Sequence, residues 1–341
     1  MQRENCCPTF FKEKLSTPSS GCLTGRMDLF IGIFGSKKGG IVLRKWFMSL
    51  LAVGLVFGLA ACSGKRDAKG HIVISGKKFT EQVILTHLLA EYVKANTDLD
   101  VEVKDSLGGA FMLKQAIENG DVDMYVEYTG TGYLNILKQP YDPAKTPEQI
   151  YNETKKLYKE KYNIAWLKPL GFNNTYALAM RRDLAEKLGV KTYSDLVNHS
   201  SSLTFGSDAE FFERSDGYDG LVDTYGFQFK KTVNIDPDLQ YEAAKNGEID
   251  VITAYTTDAR IKKYDLVVLK DDQHYFPPYH AVPIIRQDVL DANPGLEEAL
   301  NKLANILTDE KMMELNGEVN LEGKRPREVA IDFLKSEGLI D

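Results

Sequence analysis

Four of the 17 tyrosines lie where predicted strands end or where the chain is predicted to pass between two lobes. They are Tyr128, Tyr176, Tyr255 and Tyr279. An aromatic ring attracts a cation to its face with about 0.5 to 2 kcal/mol, and more when water is excluded. Tyrosine also has a high β-propensity, so several tyrosines end strands by coincidence in a chain of this composition. The pattern suggests an aromatic cation site. The alternative is that the tyrosines end strands by coincidence.

Such a site favours a quaternary ammonium group over a primary amine. A quaternary nitrogen has no N–H to donate, and its methyl groups spread the charge and keep its hydration weak. Moving it from water into an aromatic cavity therefore has a lower desolvation cost. We expect tyrosine faces to surround a methylated ammonium.

Common catalytic and cofactor motifs are absent from the sequence. It contains no HExxH, GxSxG, Walker loop or GxGxxG, and the five histidines have no ligand-like spacing. We therefore predict no catalytic residue, no metal and no cofactor. An enzyme on a two-lobed scaffold is the alternative from another functional class.

Tyr128 and Tyr255 end two similar segments. Residues 116–131 (AIENGDVDMYVEYTGT) and 243–258 (AAKNGEIDVITAYTTD) share six identities in sixteen positions. Each is predicted to be a helix end with Asn-Gly, an Asp, an apolar strand and then Tyr-Thr. Because ligands lie outside the carboxyl ends of strands in open α/β sheets, the two tyrosines are expected to face each other across a cleft. The alternative is that short helix-glycine-strand units resemble each other for chemical reasons alone.

Strands and helices are predicted to alternate, which indicates mostly parallel sheets. The predicted strands include 71–75, 100–104, 123–128, 164–168, 175–180, 203–206 and 266–269. Thr80 is expected to cap the first helix, with Phe79 packed on Ile84. Ser207 is expected to open a capping box on a later helix.

The amino-terminal region resembles a bacterial lipoprotein signal peptide. Two basic residues precede an apolar stretch that ends in Leu59-Ala60-Ala61-Cys62 and is short for a membrane span. The resemblance implies a signal peptide at 42–61, lipidation of Cys62 and a tether at 62–70. Residues 1–41 fit no such scheme and are interpreted as a leader upstream of the true translation start. A buried core helix with a chance cysteine is the alternative.

The chain after residue 61 is acidic, with 34 basic and 46 acidic residues and a net charge of −12. This charge argues against a nucleic-acid partner. Cys62 is the single cysteine of that part, which excludes an intramolecular disulfide and a cysteine-based metal site there.

Long, ordered segments closely resemble the substrate-binding proteins of glycine betaine/carnitine/choline ABC transporters. The segments are GKKFTEQVIL, LGGAFMLKQAIENGDVDMYVEYTGTG, PLGFNNTYALAM, FGSDAEFFERSDGYDGL, AYTTDARIKKYDLVVLKDDQHYFPPYHAVPIIR and LANILTDEKMMELN, within residues 71–334. The resemblance implies an α/β, two-lobed periplasmic-binding-protein fold of type II, with two mixed sheets, flanking helices and a ligand cleft between the lobes. The implied first lobe is residues 70–173 with 279–341, and the second is residues 174–278.

The resemblance also implies which residues contact the ligand. By motif, the cage residues are Tyr128, Tyr176, Tyr255 and Tyr279. Gln82 and Thr131 are similar to pocket-lining residues, and Arg214 matches a basic partner for a ligand carboxylate, with a structural salt bridge as its alternative. Asn174 either donates to the polar end of the ligand or shapes the hinge turn. Asp208 is expected to cap a helix rather than to contact the ligand.

The implied function is osmoprotective uptake by a solute receptor, not catalysis. The receptor is expected to be an extracytoplasmic monomer, lipid-anchored through Cys62 to the outer face of the cytoplasmic membrane. It would close by hinge motion on glycine betaine, choline or carnitine and deliver them to an ABC permease that has a separate ATPase. Some relatives restricted to choline carry Asp at the position of Thr131, so Thr131 favours a broader ligand range. An amino-acid receptor of the same fold, using Arg214, is the alternative.

Overall fold

A computed structural model describes residues 69–104 and 106–341. The expectations for the leader at 1–41, the signal peptide at 42–61 and lipidation of Cys62 concern residues outside this part. No helix within the described part is long and apolar enough to cross a membrane.

Strands and helices alternate along most of the described chain. The strands are β1 His71–Ser75, β2 Asp100–Lys104, β3 Met124–Tyr128, β4 Ile164–Trp166, β5 Tyr176–Arg181, β6 Thr204–Ser207, β7 Lys231–Asn234, β8 Val251–Tyr255, β9 Leu266–Val268 and β10 Ala281–Arg286. The α-helices are α1 Thr80–Asn96, α2 Ala110–Asn119, α3 Pro147–Tyr162, α4 Arg182–Leu188, α5 Tyr193–Ser200, α6 Ala209–Glu213, α7 Tyr218–Tyr225, α8 Gln240–Lys245, α9 Arg260–Lys263, α10 Gln287–Ala292, α11 Leu296–Leu300, α12 Asp309–Asn320 and α13 Pro326–Ser336. A π-helical turn covers Thr131–Ile136, and a short 3-10 turn covers Asn301–Leu303.

Two five-stranded mixed sheets form the two lobes, as predicted. The strand order is β2-β1-β3-β10-β4 in the first sheet and β7-β6-β8-β5-β9 in the second. In both sheets the central strand, β3 or β8, pairs parallel with one neighbour and antiparallel with the other. Each central strand also follows a left-handed glycine, Gly120 at φ 78° and Gly247 at φ 75°. The sequence repeat therefore occupies the same place in both sheets.

The Asp shared by the two repeat copies has one structural role in both lobes. The Asp123 carboxylate accepts the backbone N–H of Val73 at 2.8 Å, and the Val73 carbonyl accepts the Asp123 N–H at 2.8 Å. Asp250 makes the same pair of bonds with Thr204, at 2.8 and 3.0 Å. Each Asp thus joins its strand to the parallel neighbour where the ladder begins and leaves no buried backbone N–H unpaired.

The chain crosses between the sheets twice, and the two connections lie side by side. It leaves the first sheet after Trp166, enters the second at Tyr176, and returns between Val268 and Ala281. Asn173 and His280 form an isolated antiparallel bridge between the connections. The lobe boundaries predicted at 173/174 and 278/279 fall within these connections. The C-terminal helices α12 and α13 pack against α1 on the first lobe.

Two predicted helix caps differ from the structure. Helix α1 begins at Thr80 with Phe79 at the N-cap position, and the Thr80 hydroxyl bonds a side chain of α12 at 2.7 Å. Ser207 ends β6 and bonds a threonine of β8 at 2.6 Å, while Asp208 caps α6. In both cases a tertiary hydrogen bond takes the hydroxyl that the local pattern assigned to a cap.

Candidate functional site

A cavity of about 350 Å³ lies between the two sheets and is lined by residues of both lobes. Seven of the eight predicted contact residues line it: Tyr128, Tyr176, Tyr255, Tyr279, Thr131, Asn174 and Arg214. The carboxyl ends of β3 and β8 bring Tyr128 and Tyr255 there, as the repeat predicted. Tyr176 begins β5 directly opposite Tyr255 in the ladder, and the returning connection carries Tyr279.

Five aromatic rings line the cavity in one continuous series, here called the aromatic cluster: Tyr128, Phe79, Tyr255, Tyr176 and Tyr279. Phe79 stacks on Tyr255 with centroids 4.8 Å apart and lies 6.5 Å from Tyr128. The Tyr176 ring is 5.2 Å from Tyr255 and 5.8 Å from Tyr279, the latter edge to face. Neighbouring rings hold each other's orientation, as aromatic pairs at these distances do.

Phe79 is the aromatic member that sequence reasoning missed. It was expected to pack on the first helix, whereas its ring lies between tyrosines of the two lobes. Its place immediately before the first turn of α1 was a usable signal, because that position faces the space above the carboxyl end of β1.

The tyrosine hydroxyls point to carboxylates. Tyr128 donates to Glu81 at 2.5 Å, and burial raises the pKa of the Tyr128 phenol well above its usual value. Tyr279 donates to Asp216 at 2.5 Å, and its pKa is raised in the same way. Both phenols therefore stay neutral, and each ring is polarised by a negative group at its far end.

Arg214 lies at the cavity and is already paired. Its guanidinium is buried and clamps Asp216 with two bonds of 2.7 Å. It also donates to Glu210 at 3.3 Å and to Thr131 at 3.2 Å. Its Cζ is 5.1 Å from the Tyr176 ring centroid. Of the two alternatives for Arg214, the salt bridge is present in this structure, and contact with a ligand carboxylate stays a prediction.

Gln82 is buried but does not line the cavity. Its carbonyl oxygen accepts the Lys77 backbone N–H at 3.2 Å, and its amide donates to the Val126 carbonyl at 3.1 Å and to the Tyr128 hydroxyl at 3.0 Å. All of these partners belong to the protein. Gln82 therefore supports the Tyr128 hydroxyl. Because Gln82 does not line the cavity, the structure does not place it for its predicted contact with the ligand.

Asn174 takes part in the paired connections and also lines the cavity. Its backbone N–H donates to the Tyr279 carbonyl in the paired connections at 3.1 Å, and its amide donates to Glu81 at 2.9 Å. Its side-chain carbonyl oxygen is buried and has no hydrogen-bond partner among the described residues. The amide donor of Asn174 is thus engaged by Glu81 in this structure, and its donation to the ligand stays a prediction.

Asp208 is both a helix cap and a cavity residue. Its Oδ1 accepts the Phe211 N–H at 2.9 Å, and its Oδ2 lies 3.4 Å from the Tyr255 hydroxyl. Burial raises the pKa of the Asp208 carboxyl, and the cap bond opposes that rise. Sequence reasoning assigned the cap and missed the contact with the cavity.

Several hydrogen bonds join the lobes around the cavity. Glu210 of the second lobe accepts the backbone N–H of Ala110, the first residue of α2, at 3.1 and 3.2 Å. Asn135 of the first lobe donates to Asp216 at 2.8 Å, and Lys78 reaches Asp236 at 2.8 Å. The structure is therefore a closed arrangement of the two lobes. No group of acidic, histidine or cysteine residues within the described part is placed to hold a metal ion.

Known proteins share both the sequence and this architecture. Residues 70–336 match the family described as the substrate binding domain of ABC-type glycine betaine transport system. A carnitine transport binding protein of Listeria monocytogenes is 34% identical over 88% of this chain and 99% of its own. A crystal structure of a glycine betaine/carnitine/choline ABC transporter protein has 33% identity and a TM-score of 0.64, covering 79% of this chain and 100% of that one.

Another relative carries a different ligand in its name. An ergothioneine transport permease/ergothioneine binding protein of Helicobacter pylori is 38% identical over 79% of this chain. The match spans 48% of that relative, so this chain corresponds to about half of its length. The family match extends over most of the chain, and the different ligand in the name of this relative does not affect it. The chain belongs to the family of substrate-binding domains of ABC-type glycine betaine transport systems.

Proposed function

We propose that the protein binds a quaternary ammonium solute against the aromatic cluster and delivers it to an ABC permease for osmoprotective uptake. The observation that carries this proposal is one cavity lined by five aromatic rings from both lobes. Each ring face offers a cation about 0.5 to 2 kcal/mol, so several faces together give useful affinity without a hydrogen bond. Glycine betaine, choline and carnitine are the candidate ligands, because relatives are named for them.

Buried carboxylates add to the preference for a cation. Asp208 borders the aromatic cluster, and Glu210 lies beside it in the cavity wall. Lys77, Lys78 and Arg214 also line the cavity, so these carboxylates favour the cationic group locally, where they border the aromatic cluster. The lobes would close over the ligand, exclude water and present a closed form to the permease.

The amino-acid receptor is a weaker alternative. An α-carboxylate needs a free bidentate donor, but Asp216 already occupies the Arg214 fork through Nε and Nη2. A primary ammonium also needs several hydrogen-bond acceptors around it, and the five aromatic faces of the cavity wall supply none.

A larger betaine is a second candidate, favoured by the size of the cavity. A volume of about 350 Å³ is within the range of about 300 to 1,000 Å³ that holds drug-sized ligands. Ergothioneine, named for the Helicobacter pylori relative, carries a trimethylammonium group and an imidazole-derived ring. The Asp208 carboxylate in the cavity wall is an acceptor for such a ring.

Calorimetry on the purified mature chain tests both candidates. The panel is glycine betaine, choline, carnitine, ergothioneine and arginine. Tyr128→Ala and Tyr255→Ala are each expected to weaken quaternary ammonium binding by at least about tenfold. Tyr264→Ala is the control, because this partly buried tyrosine is not part of the cavity wall. Unchanged affinity in both cage variants, or binding of arginine alone, contradicts the proposal.

We also propose that the protein acts outside the cytoplasm as a monomer, anchored by lipid on Cys62, with permease and ATPase on other chains. Binding proteins of ABC importers are extracytoplasmic, which supports the location. Cys62→Ala is expected to abolish incorporation of labelled fatty acid and to release the protein from cells. Because no chemical step is proposed, NMR is expected to recover the bound ligand unchanged after hours.

A further inference from the structure

The carboxyl group of Glu81 is buried behind the aromatic cluster and takes no part in the ligand contacts proposed above. Glu81 lies in the first turn of α1 and is 2% exposed. Its Oε1 accepts the Tyr128 hydroxyl at 2.5 Å and the Asn174 amide at 2.9 Å. Its Oε2 accepts the Thr257 hydroxyl at 2.5 Å and the Asn316 amide at 3.3 Å. Glu81 therefore joins both lobes, a connection between them and helix α12.

The hydrogen-bond pattern fits an ionised carboxylate. Each oxygen accepts two donors, which is the capacity of the charged form. The direction of the Tyr128 bond is fixed, because the Gln82 amide donates to the same hydroxyl at 3.0 Å and leaves its proton for Glu81. The Gln82 amide is itself oriented by the Lys77 backbone N–H at its oxygen.

This carboxylate has no cationic partner. All four groups that donate to Glu81 are neutral, and no lysine, arginine or histidine in the described ranges forms a salt bridge with it. The nearby Lys77 ammonium pairs with Glu127 and lies 4.6 Å from the centroid of the Tyr128 ring. Arg260 pairs with Asp258. Burial raises the pKa of the Glu81 carboxyl, and the four hydrogen bonds oppose that rise, because neutral donors and a helix N-terminus offset only part of the cost of a buried charge.

The Tyr128 ring separates this charge from the cavity. Tyr128 lines the cavity with its ring and donates to Glu81 with its hydroxyl. A phenol that donates to a carboxylate has a more electron-rich ring, and the negative charge itself lies just beyond it. A cation on the ring therefore gains from Glu81 without touching it.

We propose that Glu81 is a positioning residue that supplies the counter-charge for the ligand cation through Tyr128 and fixes that ring between the lobes. The proposal rests on the proposed binding of a quaternary ammonium solute. It predicts that Glu81 discriminates between a charged ligand and a neutral ligand of the same shape. A purely structural role predicts equal losses for both.

The test compares a quaternary ammonium ligand with its carbon isostere, in which carbon replaces the nitrogen, by calorimetry on the mature chain. Choline and glycine betaine each have such an isostere, in which a neutral tert-butyl group replaces the cationic trimethylammonium head. Charged and neutral refer here to this head group, and the pair is chosen by which ligand the wild type binds. Glu81→Gln is expected to weaken the charged ligand by about tenfold and the isostere by less than about threefold. Glu160→Gln, an exposed carboxylate on α3 outside the cavity wall, removes the same charge and is expected to change neither.

A second variant covers the case in which Glu81→Gln does not fold. Tyr128→Phe keeps the ring and removes the hydroxyl that links it to Glu81. It is expected to reduce the ratio of the affinity for the charged ligand to the affinity for the isostere, as Glu81→Gln does. Where Glu81→Gln folds, adding Tyr128→Phe to it is expected to change this ratio little further, because both changes break one interaction. An unchanged ratio in these variants, with wild-type binding intact, overturns the role of Glu81 alone. No quaternary ammonium binding by the wild type overturns the proposed function as well.

Discussion

The ring faces of the aromatic cluster are available to a ligand because the polar ends of the tyrosines are bound elsewhere. Tyr128 and Tyr279 donate to buried carboxylates, and Tyr255 lies next to a third. A buried phenol hydroxyl without a hydrogen-bond partner would be unfavourable, and the ring could rotate to find one. Each carboxylate satisfies its hydroxyl and adds negative charge behind the ring, so one arrangement serves both rigidity and cation affinity.

Thr131 is the residue at which we expect ligand choice to be set. It lines the cavity, and its hydroxyl accepts Arg214 Nη2 at 3.2 Å. Thr131→Asp puts a carboxylate at this position, which repels a ligand carboxylate and attracts a hydroxyl donor. Glycine betaine is expected to lose at least about tenfold in affinity relative to choline, measured by calorimetry.

Thr131→Asn is the matched control, because it has a similar shape to Asp without the charge. It is expected to leave the ratio of the two affinities within about threefold of the wild type. Equal losses for both ligands in Thr131→Asp indicate a steric effect and contradict a role of this position in discrimination.

At the scale of elements, the N-terminus of α2 is completed by the opposite lobe. Its N-cap residue is Gly109, which has no side chain to cap the helix. Glu210 instead accepts the Ala110 N–H from across the cleft, where a carboxylate also complements the helix dipole. A Cβ on Gly109 would lie 1.9 Å from Glu210 Oε2. A side chain at position 109 would therefore require the Glu210 carboxylate to shift away from its contact with α2.

Gly109→Ala is expected to hinder closure while the lobes still fold, because the clash exists only where Glu210 meets α2. Ligand dissociation, followed by stopped flow, should accelerate by about tenfold, and the free energy of unfolding without ligand should change by less than about 1 kcal/mol. Adding Glu210→Ala removes the clashing group and should recover part of the loss. No recovery in the double variant would mean that the glycine is needed for the local fold of α2.

The sequence predicted the elements that depend on local chemistry. The repeat located β3 and β8 correctly, because the Asn-Gly end, the Asp and the apolar strand are all determined by neighbouring residues. The capping box that Thr146 forms with Gln149 likewise depends on neighbouring residues alone. The edge strand β7, Lys231–Asn234, was not among the predicted strands, because its alternation is polar and its residues are mostly exposed. The caps predicted at Thr80 and Ser207 are wrong, because each hydroxyl bonds a residue that is distant in sequence.

The site was predicted where a family motif marks it and missed where a contact comes from the other lobe. The four tyrosines reach one cavity, but nothing local shows that Phe79 stacks between two of them. Nothing local indicates the role of Glu81, since its partners at 174, 257 and 316 are far away in sequence. Burial and hydrogen bonding of a side chain by distant segments are tertiary properties, and a pattern of neighbours does not contain them.

For the whole molecule, Asp216 links elements that otherwise belong to different lobes. It receives two bonds from Arg214, one from Asn135 of the first lobe and one from Tyr279 of the returning connection. Burial raises the pKa of Asp216, but the Arg214 guanidinium and these hydrogen bonds outweigh burial and hold the pKa below its ordinary value of 3.8. The contribution of Asp216 to stability is therefore complete above pH 3.8 and is lost as the pH falls through its lower folded-state pKa.

Asp216→Asn is accordingly expected to destabilise the protein most at neutral pH and progressively less in acid. At neutral pH it leaves Arg214 buried without its counter-ion, at a cost of about 3 to 5 kcal/mol in the free energy of unfolding. Urea unfolding followed by circular dichroism at a series of pH values measures the difference between variant and wild type. Asp183→Asn is the control, because Asp183 is 78% exposed beside Arg181, and exposed pairs contribute about 1 kcal/mol or less. A difference between Asp216→Asn and wild type that stays constant down to the lowest pH would show that Asp216 acts through its shape and hydrogen bonds, and that its charge does not hold the lobes together.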